Sequence, residues 1–282
     1  KLNAVSVNPP QKLLRGLLEH YQSARFKDAE GLAQKIIQDF PEHGFSWKML
    51  AAVFKATGRK SKAVDANQKA VELFPQDAEA HSHLGVVLKE VGKLDEAKAC
   101  FKKALSLKSD YVEAHYNLGL TLREFMELEE ALECFKQAIE LKPDFAMAHN
   151  NLGITFQQLG KFQDAEVCYN QAIMLNPYYA EAHSNLAVSL KKQGRLEESE
   201  VSCKRAIELK PGFVEAHNNL GSTLQELGKF DEAEASYSQA VLLKPDFADA
   251  HSNLGVTLQE LGRFNEAEAS YNQAILLKPE FA

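Results

Sequence analysis

A spacing of 34 residues recurs along this chain and constrains its fold more than any other feature of the sequence. Five prolines repeat at this interval from Pro143 to Pro279, and six histidines do so from His81 to His251. Self-similarity with a period of about 20 to 50 residues is typical of repeat architectures, in which each unit packs on its neighbours. We therefore expect a stacked array of repeats.

Counting from Pro10, the period divides the chain into eight repeats of 34 positions each. We number them 1 to 8, and they span residues 10–43, 44–77, 78–111, 112–145, 146–179, 180–213, 214–247 and 248–281. Residues 1–9 form an N-terminal extension, and Ala282 would begin a ninth repeat. Natural arrays close with an atypical capping unit, so we expect one continuous array cut from a longer protein.

Each repeat has the pattern of two amphipathic helices. In repeat 8, apolar residues recur at steps of three and four up to Leu261, where Gly262 interrupts them, and again over residues 264–277, before Pro279. Gly and Pro end helical patterns of this kind. A helical hairpin cannot bury its apolar faces alone, so the sequence predicts an all-α, right-handed solenoid (superhelix) of eight helix-turn-helix repeats.

Small and large residues alternate at fixed positions of the repeat. Position 8 is Gly in repeats 3, 4, 5, 7 and 8, and position 27 is Ala in repeats 2 to 8. Position 24 of the five glycine-bearing repeats is aromatic: Phe101, Phe135, Tyr169, Tyr237 and Tyr271. The small positions admit a neighbouring helix, and the rings fill the space between helices.

These positions resemble the signature of the tetratricopeptide repeat (TPR) family, and the resemblance covers residues 10–281. Repeat 2 carries the signature residues Trp47, Leu50, Gly58, Ala63, Ala70 and Pro75. The departures are His for Trp in repeats 3 to 8, together with Ser109 for Pro, Met126 for the turn Gly and Ser199 for Ala; Lys60 and Asn67 stand where large apolar residues are expected. The resemblance implies a helix-turn-helix fold with a concave groove.

The sequence does not predict an enzyme. Nearly every residue belongs to a repeat position, and no phosphate-binding loop, dinucleotide fingerprint, nucleophile elbow or metalloprotease motif occurs. Histidines one repeat apart are too distant to share a zinc ion, so we expect them to fill the tryptophan position. We expect no catalytic residue, no cofactor and no metal.

Composition narrows the partners and the compartment. The chain has 32 basic and 39 acidic residues, a formal net charge of -7, which argues against nucleic-acid binding. No apolar run approaches the roughly 18 to 20 residues of a membrane span. The four cysteines are about one repeat apart and are predicted to be free thiols, which indicates a reducing compartment, the cytoplasm or the nucleus: Cys100, Cys134, Cys168 and Cys203.

Candidate binding residues recur at position 6 of the first helix, which in the TPR family looks into the concave groove: Asn117, Asn151, Asn185, Asn219 and Asn253. A carboxamide both donates and accepts, so it can pair with the backbone of a peptide of any sequence. The series is therefore interpreted either as a set of peptide ligands or as residues that solvate a helix face. Both interpretations place the side chains toward solvent.

Neighbouring groove positions add charge to the predicted site. Position 12 supplies three cations that we include in it, Lys89, Arg123 and Lys191. Repeats 7 and 8 carry net charges of -4 and -3, so the C-terminal end is acidic and favours a basic or neutral peptide segment.

Three functions stay open. The first is an interaction scaffold that binds extended peptide segments of partner proteins in its concave groove through the asparagine series. The second rests on similarity to the superhelical arm of protein O-linked N-acetylglucosamine transferases, carried by the asparagines and by residues 182–187; it implies a substrate-recruiting arm of a larger transferase. The third is end-to-end self-association through residues 280–282.

Overall fold

Residues 8–279 are described in the computed structural model of the protein, and they form sixteen α-helices and no strand. The helices are α1 Gln11–Gln22, α2 Phe26–Asp39, α3 Gly44–Ala56, α4 Lys60–Leu73, α5 Ala78–Glu90, α6 Leu94–Leu107, α7 Val112–Glu124, α8 Leu128–Leu141, α9 Ala146–Gln158, α10 Phe162–Leu175, α11 Ala180–Lys192, α12 Leu196–Leu209, α13 Val214–Glu226, α14 Phe230–Leu243, α15 Ala248–Glu260 and α16 Phe264–Leu277. Each repeat contributes two helices, as predicted. The candidate self-association segment, 280–282, lies outside the described residues, as does most of the N-terminal extension.

The described chain separates into two compact bodies at residues 142 and 143. The N-terminal body contains α1–α8 and the C-terminal body contains α9–α16. Within each body the two helices of a repeat pack along each other, and the second helix packs on the first helix of the next repeat. This sequential packing confirms the predicted all-α solenoid of helix-turn-helix repeats, while its right-handed twist and the single uninterrupted array remain predictions.

The core of a typical repeat is a ring at position 24 that packs on the glycine at position 8. A Cβ atom added to Gly119 would lie 2.8 Å from the ring of Phe135, and one added to Gly221 would lie 2.8 Å from the ring of Tyr237. Both rings are buried. Three repeats lack this pair and have Leu17 with Ala33, Ala51 with Asn67, or Ala187 with Cys203.

The turn between the two helices of a repeat needs a left-handed backbone at position 15. Glycine adopts it in six repeats, for example Gly58 with φ 73° and Gly262 with φ 74°. Repeats 1 and 4 force it on Ala24, with φ 54°, and on Met126, with φ 58°. A Cβ atom makes this conformation costly, so these two turns are strained.

The loop that leads into the first helix is closed by a side-chain hydrogen bond in repeats 2 to 8. Trp47 Nε1 donates to the carbonyl of Pro41 at 2.8 Å. In repeats 3 to 8, His at the same position donates from Nε2 to the carbonyl six residues earlier, at 2.8 to 3.3 Å. The histidines therefore occupy the tryptophan position and replace its N–H donor.

The four cysteines are free thiols, as predicted. Burial raises the pKa of Cys100 and Cys134 to about 11 and that of Cys168 and Cys203 to about 12. Protonated thiols are poor nucleophiles, so these side chains act as small apolar residues.

The described chain contains neither a membrane-spanning helix nor a metal-binding cluster. None of its helices combines the length and apolar character needed to cross a bilayer. Over residues 8–279, no group of three or more His, Cys, Asp or Glu side chains is placed so that it could hold a metal ion.

Candidate functional site

The C-terminal body contains a cleft of about 520 Å³ along the first helices of repeats 5, 6 and 7. We call it the asparagine cleft. Three residues of the predicted series line it together, Asn151, Asn185 and Asn219. The full lining is Asn150, Asn151, Ile154, Tyr179, Glu181, Ser184, Asn185, Phe213, Glu215, Asn218, Asn219 and Phe247.

The amide groups of three series members connect successive repeats. Each donates from Nδ2 to the side chain at position 5 of the preceding repeat, and the pairs are Asn185 with Asn150 Oδ1, Asn219 with Ser184 Oγ and Asn253 with Asn218 Oδ1, all at 3.1 Å. Sequence reasoning missed these partners, although position 5 is Asn or Ser in repeats 5 to 8. The series therefore has a structural role as well as a place in the cleft.

The other two members bond within their own helix. Asn117 Nδ2 donates to the carbonyl of Glu113 at 2.8 Å, and Asn151 Nδ2 donates to that of Met147 at 2.8 Å. Asn117 lies in the N-terminal body. Asn151 is only 8% exposed, so the prediction of a solvent-facing side chain is wrong for this residue. The carboxamide folds back on its own helix, where Nδ2 is held by the carbonyl of Met147.

The hydrogen bonds between repeats leave the carboxamide oxygens of three asparagines available to a ligand. Oδ1 of Asn185, of Asn219 and of Asn253 accepts no hydrogen bond from any residue in the described range 8–279. One of the two N–H donors of each carboxamide is already engaged. These three members therefore present one acceptor each, which is the complement of a backbone N–H.

Carboxylates and aromatic rings flank these oxygens. Lys210 Nζ donates to Glu181 at 2.8 Å, and this bond holds the pKa of Glu181 below its usual range. The same ammonium lies 4.6 Å from the ring centroid of Phe213. Glu215, within the described chain, makes no ion pair. The cleft wall therefore already attracts one cation and offers a second carboxylate to another.

The three predicted cations lie elsewhere in the described chain. Lys191 Nζ is engaged by Ser222 Oγ at 2.6 Å and by Glu226 at 3.1 Å. Lys89 and Arg123 lie on α5 and α7 of the N-terminal body, half-buried, and burial lowers the pKa of Lys89. None of the three lines the asparagine cleft as the structure describes it.

Position 12 has a structural role in the C-terminal body that sequence reasoning missed. Where this position is Gln, its Oε1 accepts the phenol O–H of the ring at position 24: Tyr169 with Gln157 at 3.1 Å, Tyr237 with Gln225 at 3.1 Å and Tyr271 with Gln259 at 3.2 Å. Repeats 3 and 4 have Phe with Lys or Arg instead. The change from cation to amide at position 12 therefore accompanies the change from Phe to Tyr.

The N-terminal body contains a second cleft, of about 560 Å³, centred on repeat 2. We call it the repeat-2 cleft. It is lined by Tyr21, Lys48, Ala51, Ala52, Lys55, Ala56, Asn67, His83, Val86 and Val87. None of the predicted site residues is among them.

Two protein-family profiles match the chain. The tetratricopeptide repeat profile matches residues 14–78, and the profile of the cilia and flagella-associated protein 70 C-terminal domain, a TPR domain, matches residues 85–274. The chain therefore belongs to the tetratricopeptide repeat family. No curated protein matches it.

Solved structures share its fold. A chain of the APC/C hetero-tetramer Cut9-Hcn1 is similar with a TM-score of 0.70 and 18% identity over 99% of this chain and 54% of that one. A TPR protein from Parabacteroides merdae has a TM-score of 0.69 and 19% identity over 83% and 93% of the two chains. YrrB, described as a TPR protein with an unusual peptide-binding site, has a TM-score of 0.51 and 25% identity over 64% and 93%.

The chain spans about half the length of the Cut9-Hcn1 chain it matches. The similarity to the arm of O-linked N-acetylglucosamine transferases, and with it the function as a recruiting arm, stays a prediction. The full-length reading frame would test it directly, because a transferase domain would be encoded beside the repeats.

Proposed function

We propose that this chain is a protein-interaction scaffold whose asparagine cleft binds an extended segment of a partner protein. The observation that carries the proposal is the pair of unengaged oxygens, Oδ1 of Asn185 and of Asn219, on one wall of a cleft of about 520 Å³. Backbone N–H groups are present in every peptide apart from proline, so these acceptors select an extended chain and not a particular sequence.

The spacing of the repeats suits such a ligand. Packed helices lie about 8 to 10 Å apart, and an extended chain advances about 3.3 Å per residue. Successive asparagines would therefore meet the N–H groups of about every third residue or more of the bound segment. Family membership and the peptide-binding site described for YrrB support the same mode of action.

The cleft also favours one kind of side chain. Glu181 and Glu215 lie beside the aromatic rings of Phe213 and Phe247, and Lys244 Nζ lies 5.4 Å from the Phe247 ring centroid. Rings and carboxylates together attract lysine and arginine. The bound segment is therefore neutral or basic, and binding weakens as salt screens these contacts.

The test uses peptides selected on the protein from a random dodecamer library displayed on phage. Each lost hydrogen bond costs about 0.5 to 1.5 kcal/mol, so the variant Asn185→Ala/Asn219→Ala/Asn253→Ala should lose about 10-fold to 1000-fold in affinity. Isothermal titration of the selected peptides measures it. Peptides that bind this variant as tightly as the native chain would refute the assignment of the cleft.

A matched control separates peptide binding from packing. The variant Asn150→Ala/Ser184→Ala/Asn218→Ala removes the same three bonds between repeats but keeps the three oxygens that face the ligand. Because Asn150, Ser184 and Asn218 also line the cleft, it should lose some affinity, but less than the first variant does. An equal loss in both variants would show that the bonds between repeats, and not the oxygens, are what binding requires.

In this function the chain binds a partner and catalyses no reaction. Three separate predictions are that the chain needs no cofactor, that it binds no nucleic acid and that it self-associates through its end.

A further inference from the structure

A groove of about 410 Å³ lies between the second helices of repeats 5 and 6, α10 and α12. We call it the outer groove, because the asparagine cleft follows the first helices instead and shares no lining residue with it. The first helix α11 contributes Leu186 and Leu190 to its floor. Its volume is within the usual range of about 300 to 1000 Å³ for ligand sites.

The α12 side of the outer groove carries an exposed apolar side chain. Val201 lines the groove at position 22 and is 68% exposed, although valine is usually a buried residue. Of the other repeats, only repeat 5 has valine at this position, as Val167. The remaining repeats have a small or acidic residue there: Gly31, Asp65, Ala99, Glu133, Ala235 and Ala269.

Carboxylates outnumber cations along the outer groove. Three glutamates and one arginine line it, which gives the lining a net charge of -2. Arg195 is shared by two of them, Glu166 at 2.7 Å and Glu198 at 2.5 Å. The third, Glu197, makes no ion pair within the described chain. A partner with a lysine or arginine would therefore find a carboxylate that no cation of this chain engages.

The next groove of the same kind lacks both features. It lies between α12 and α14 and also has a volume of about 410 Å³. Ala235 stands there in place of Val201, and its one lining cation, Lys204, balances its one lining carboxylate, Glu208. The apolar side chain and the negative charge are therefore properties of the outer groove and not of every groove between second helices.

The dimensions of the outer groove suit a helix. Its walls α10 and α12 have 14 residues each, which corresponds to a length of about 20 Å. On the floor, Leu186 and Leu190 are four residues apart on α11, one helical turn. Side chains of a docked helix recur with the same spacing, so their ridges can pack between those of the walls.

We propose that the outer groove is a second interaction site, which takes a basic amphipathic helix of a partner protein. The apolar face of that helix packs on Leu186, Leu190 and Val201, and a lysine or arginine beside that face pairs with Glu197. This is the docking mode in which an amphipathic helix lies in an apolar groove with complementary flanks. The site is independent of the asparagine cleft and of the binding proposed there.

The probes are three acetylated helical peptides of about 18 residues each. The first has leucine on one face and lysine on the other, the second has glutamate in place of lysine, and the third has glutamine in place of leucine. Isothermal titration should find the Leu/Lys peptide at least about tenfold tighter than both others. If the Gln/Lys peptide binds equally well, charge attraction alone remains, and if the Leu/Glu peptide does, no basic partner is selected; either result would overturn the proposal.

Two variants with matched controls test the geometry, all at exposed side chains. Val201→Gln should weaken the Leu/Lys peptide about threefold to tenfold, whereas Leu242→Gln, at a 72% exposed leucine outside the groove, should not. Glu197→Gln should weaken it about twofold to fivefold, whereas Asp231→Asn, at the same position of α14, should not. An equal loss in a variant and its control would place the peptide elsewhere.

Three further measurements decide what occupies the groove. In the native chain with labelled leucine and valine methyl groups, the Leu/Lys peptide should give intermolecular NOEs to Leu186, Leu190 and Val201, and their absence at saturation would overturn the proposal. The variant Asn185→Ala/Asn219→Ala should bind this peptide as the native chain does, since a loss would assign it to the asparagine cleft. Sedimentation equilibrium should find no self-association that Val201→Gln abolishes, because such a result would give the groove to a second copy.

Discussion

The asparagine cleft lies along three repeats whose cores are filled, two by the consensus ring and repeat 6 by neighbouring side chains, whereas the repeat-2 cleft opens where the core departs from the consensus. In repeats 5 and 7, Tyr169 and Tyr237 pack on glycine, and the cleft is formed by residues outside that core. In repeat 2 the cleft reaches into the ring position itself, at Asn67. Regular positions thus line one cleft with repeated polar groups, while one irregular position opens a cleft at the place of a single missing ring.

The largest effect on stability is expected from adding a methyl group to an intact core. Gly221→Ala places a Cβ atom 2.8 Å from the ring of Tyr237, so it should lower the free energy of unfolding by about 2 to 3 kcal/mol. Gly31→Ala is the control, because Gly31 is helical with nothing within 4 Å of an added Cβ, and it should raise that free energy by about 0.5 to 1 kcal/mol. Urea unfolding measures both, and equal effects would contradict the tight packing.

Filling the repeat-2 cleft should have the opposite sign. Ala51→Gly/Asn67→Phe buries a ring, a gain of about 1.5 to 3 kcal/mol, and loses about 0.5 to 1 kcal/mol at the new glycine. A net increase of about 1 to 2 kcal/mol in the free energy of unfolding should therefore appear as a higher Tm in calorimetry. A lower Tm would mean that the space is not shaped like that of repeats 3 and 4.

Ion pairs between repeats join position 21 of one repeat to position 16 of the next, and four of the five such pairs in the described chain have the acid at position 21. Glu200 in α12 is nearly buried and accepts hydrogen bonds from Lys204 at 2.6 Å and Lys229 at 2.8 Å. The pair between repeats 3 and 4, Lys98 with Glu127, has the reversed order. Glu200→Gln should lower the free energy of unfolding at pH 7 by about 1.5 kcal/mol. The exposed Glu208→Gln should change it by less than about 0.5 kcal/mol.

The pH dependence of the Glu200→Gln effect follows from the pKa of Glu200. The hydrogen bonds that Glu200 accepts, first from Lys204 and then from Lys229, hold this pKa below its ordinary value. The stability that Glu200 contributes is therefore complete above the unfolded pKa of about 4.3 and is lost as pH falls through the folded pKa. Unfolding curves of the native chain and Glu200→Gln should converge in acid, and a gap that stays constant would exclude the ionised pair as the cause.

The smallest effect is expected at a turn. Met126→Gly relieves the left-handed backbone of repeat 4 and should raise the free energy of unfolding by about 1 kcal/mol, because Met126 is 64% exposed and little packing is lost. Turns of the C-terminal body that already have glycine, such as Gly228, offer no such gain. Denaturant midpoints at equal slope measure it, and a decrease would show that the Met side chain contributes more than its exposure indicates.

Much of the fold follows from periodicity alone. The second helix of repeat 8, predicted over residues 264–277, is α16, Phe264–Leu277, because apolar steps, a preceding glycine and a following proline are local signals. The replacement of a turn glycine by Met126 was likewise visible in the sequence. Local sequence signals determine the two helices of each repeat, and the packing of consecutive repeats within each body follows from them.

The candidate sites depend on contacts that periodicity does not encode. The bond from Asn185 to Asn150 joins position 6 of repeat 6 to position 5 of repeat 5. It forms because stacking brings the first helices of the two repeats within hydrogen-bonding distance. Lys191 has a predicted groove position, yet Ser222 and Glu226 engage it. Asn67 is visible in the sequence as a departure from the ring at position 24. Whether neighbouring side chains fill the space of the missing ring, as they do at Cys203, depends on the three-dimensional packing.

The histidines that close the entry loops fix the chemistry of the loop without fixing the side chain. Imidazole donates to the loop carbonyl from Nε2, as His217 does to Pro211 at 2.9 Å, so the loop bond sets the tautomer of the neutral ring. In repeat 2 the indole N–H of Trp47 makes the corresponding bond at 2.8 Å. One N–H donor at this position is therefore enough to set where the chain enters a repeat, and the ring that carries the donor can change while the entry point stays the same.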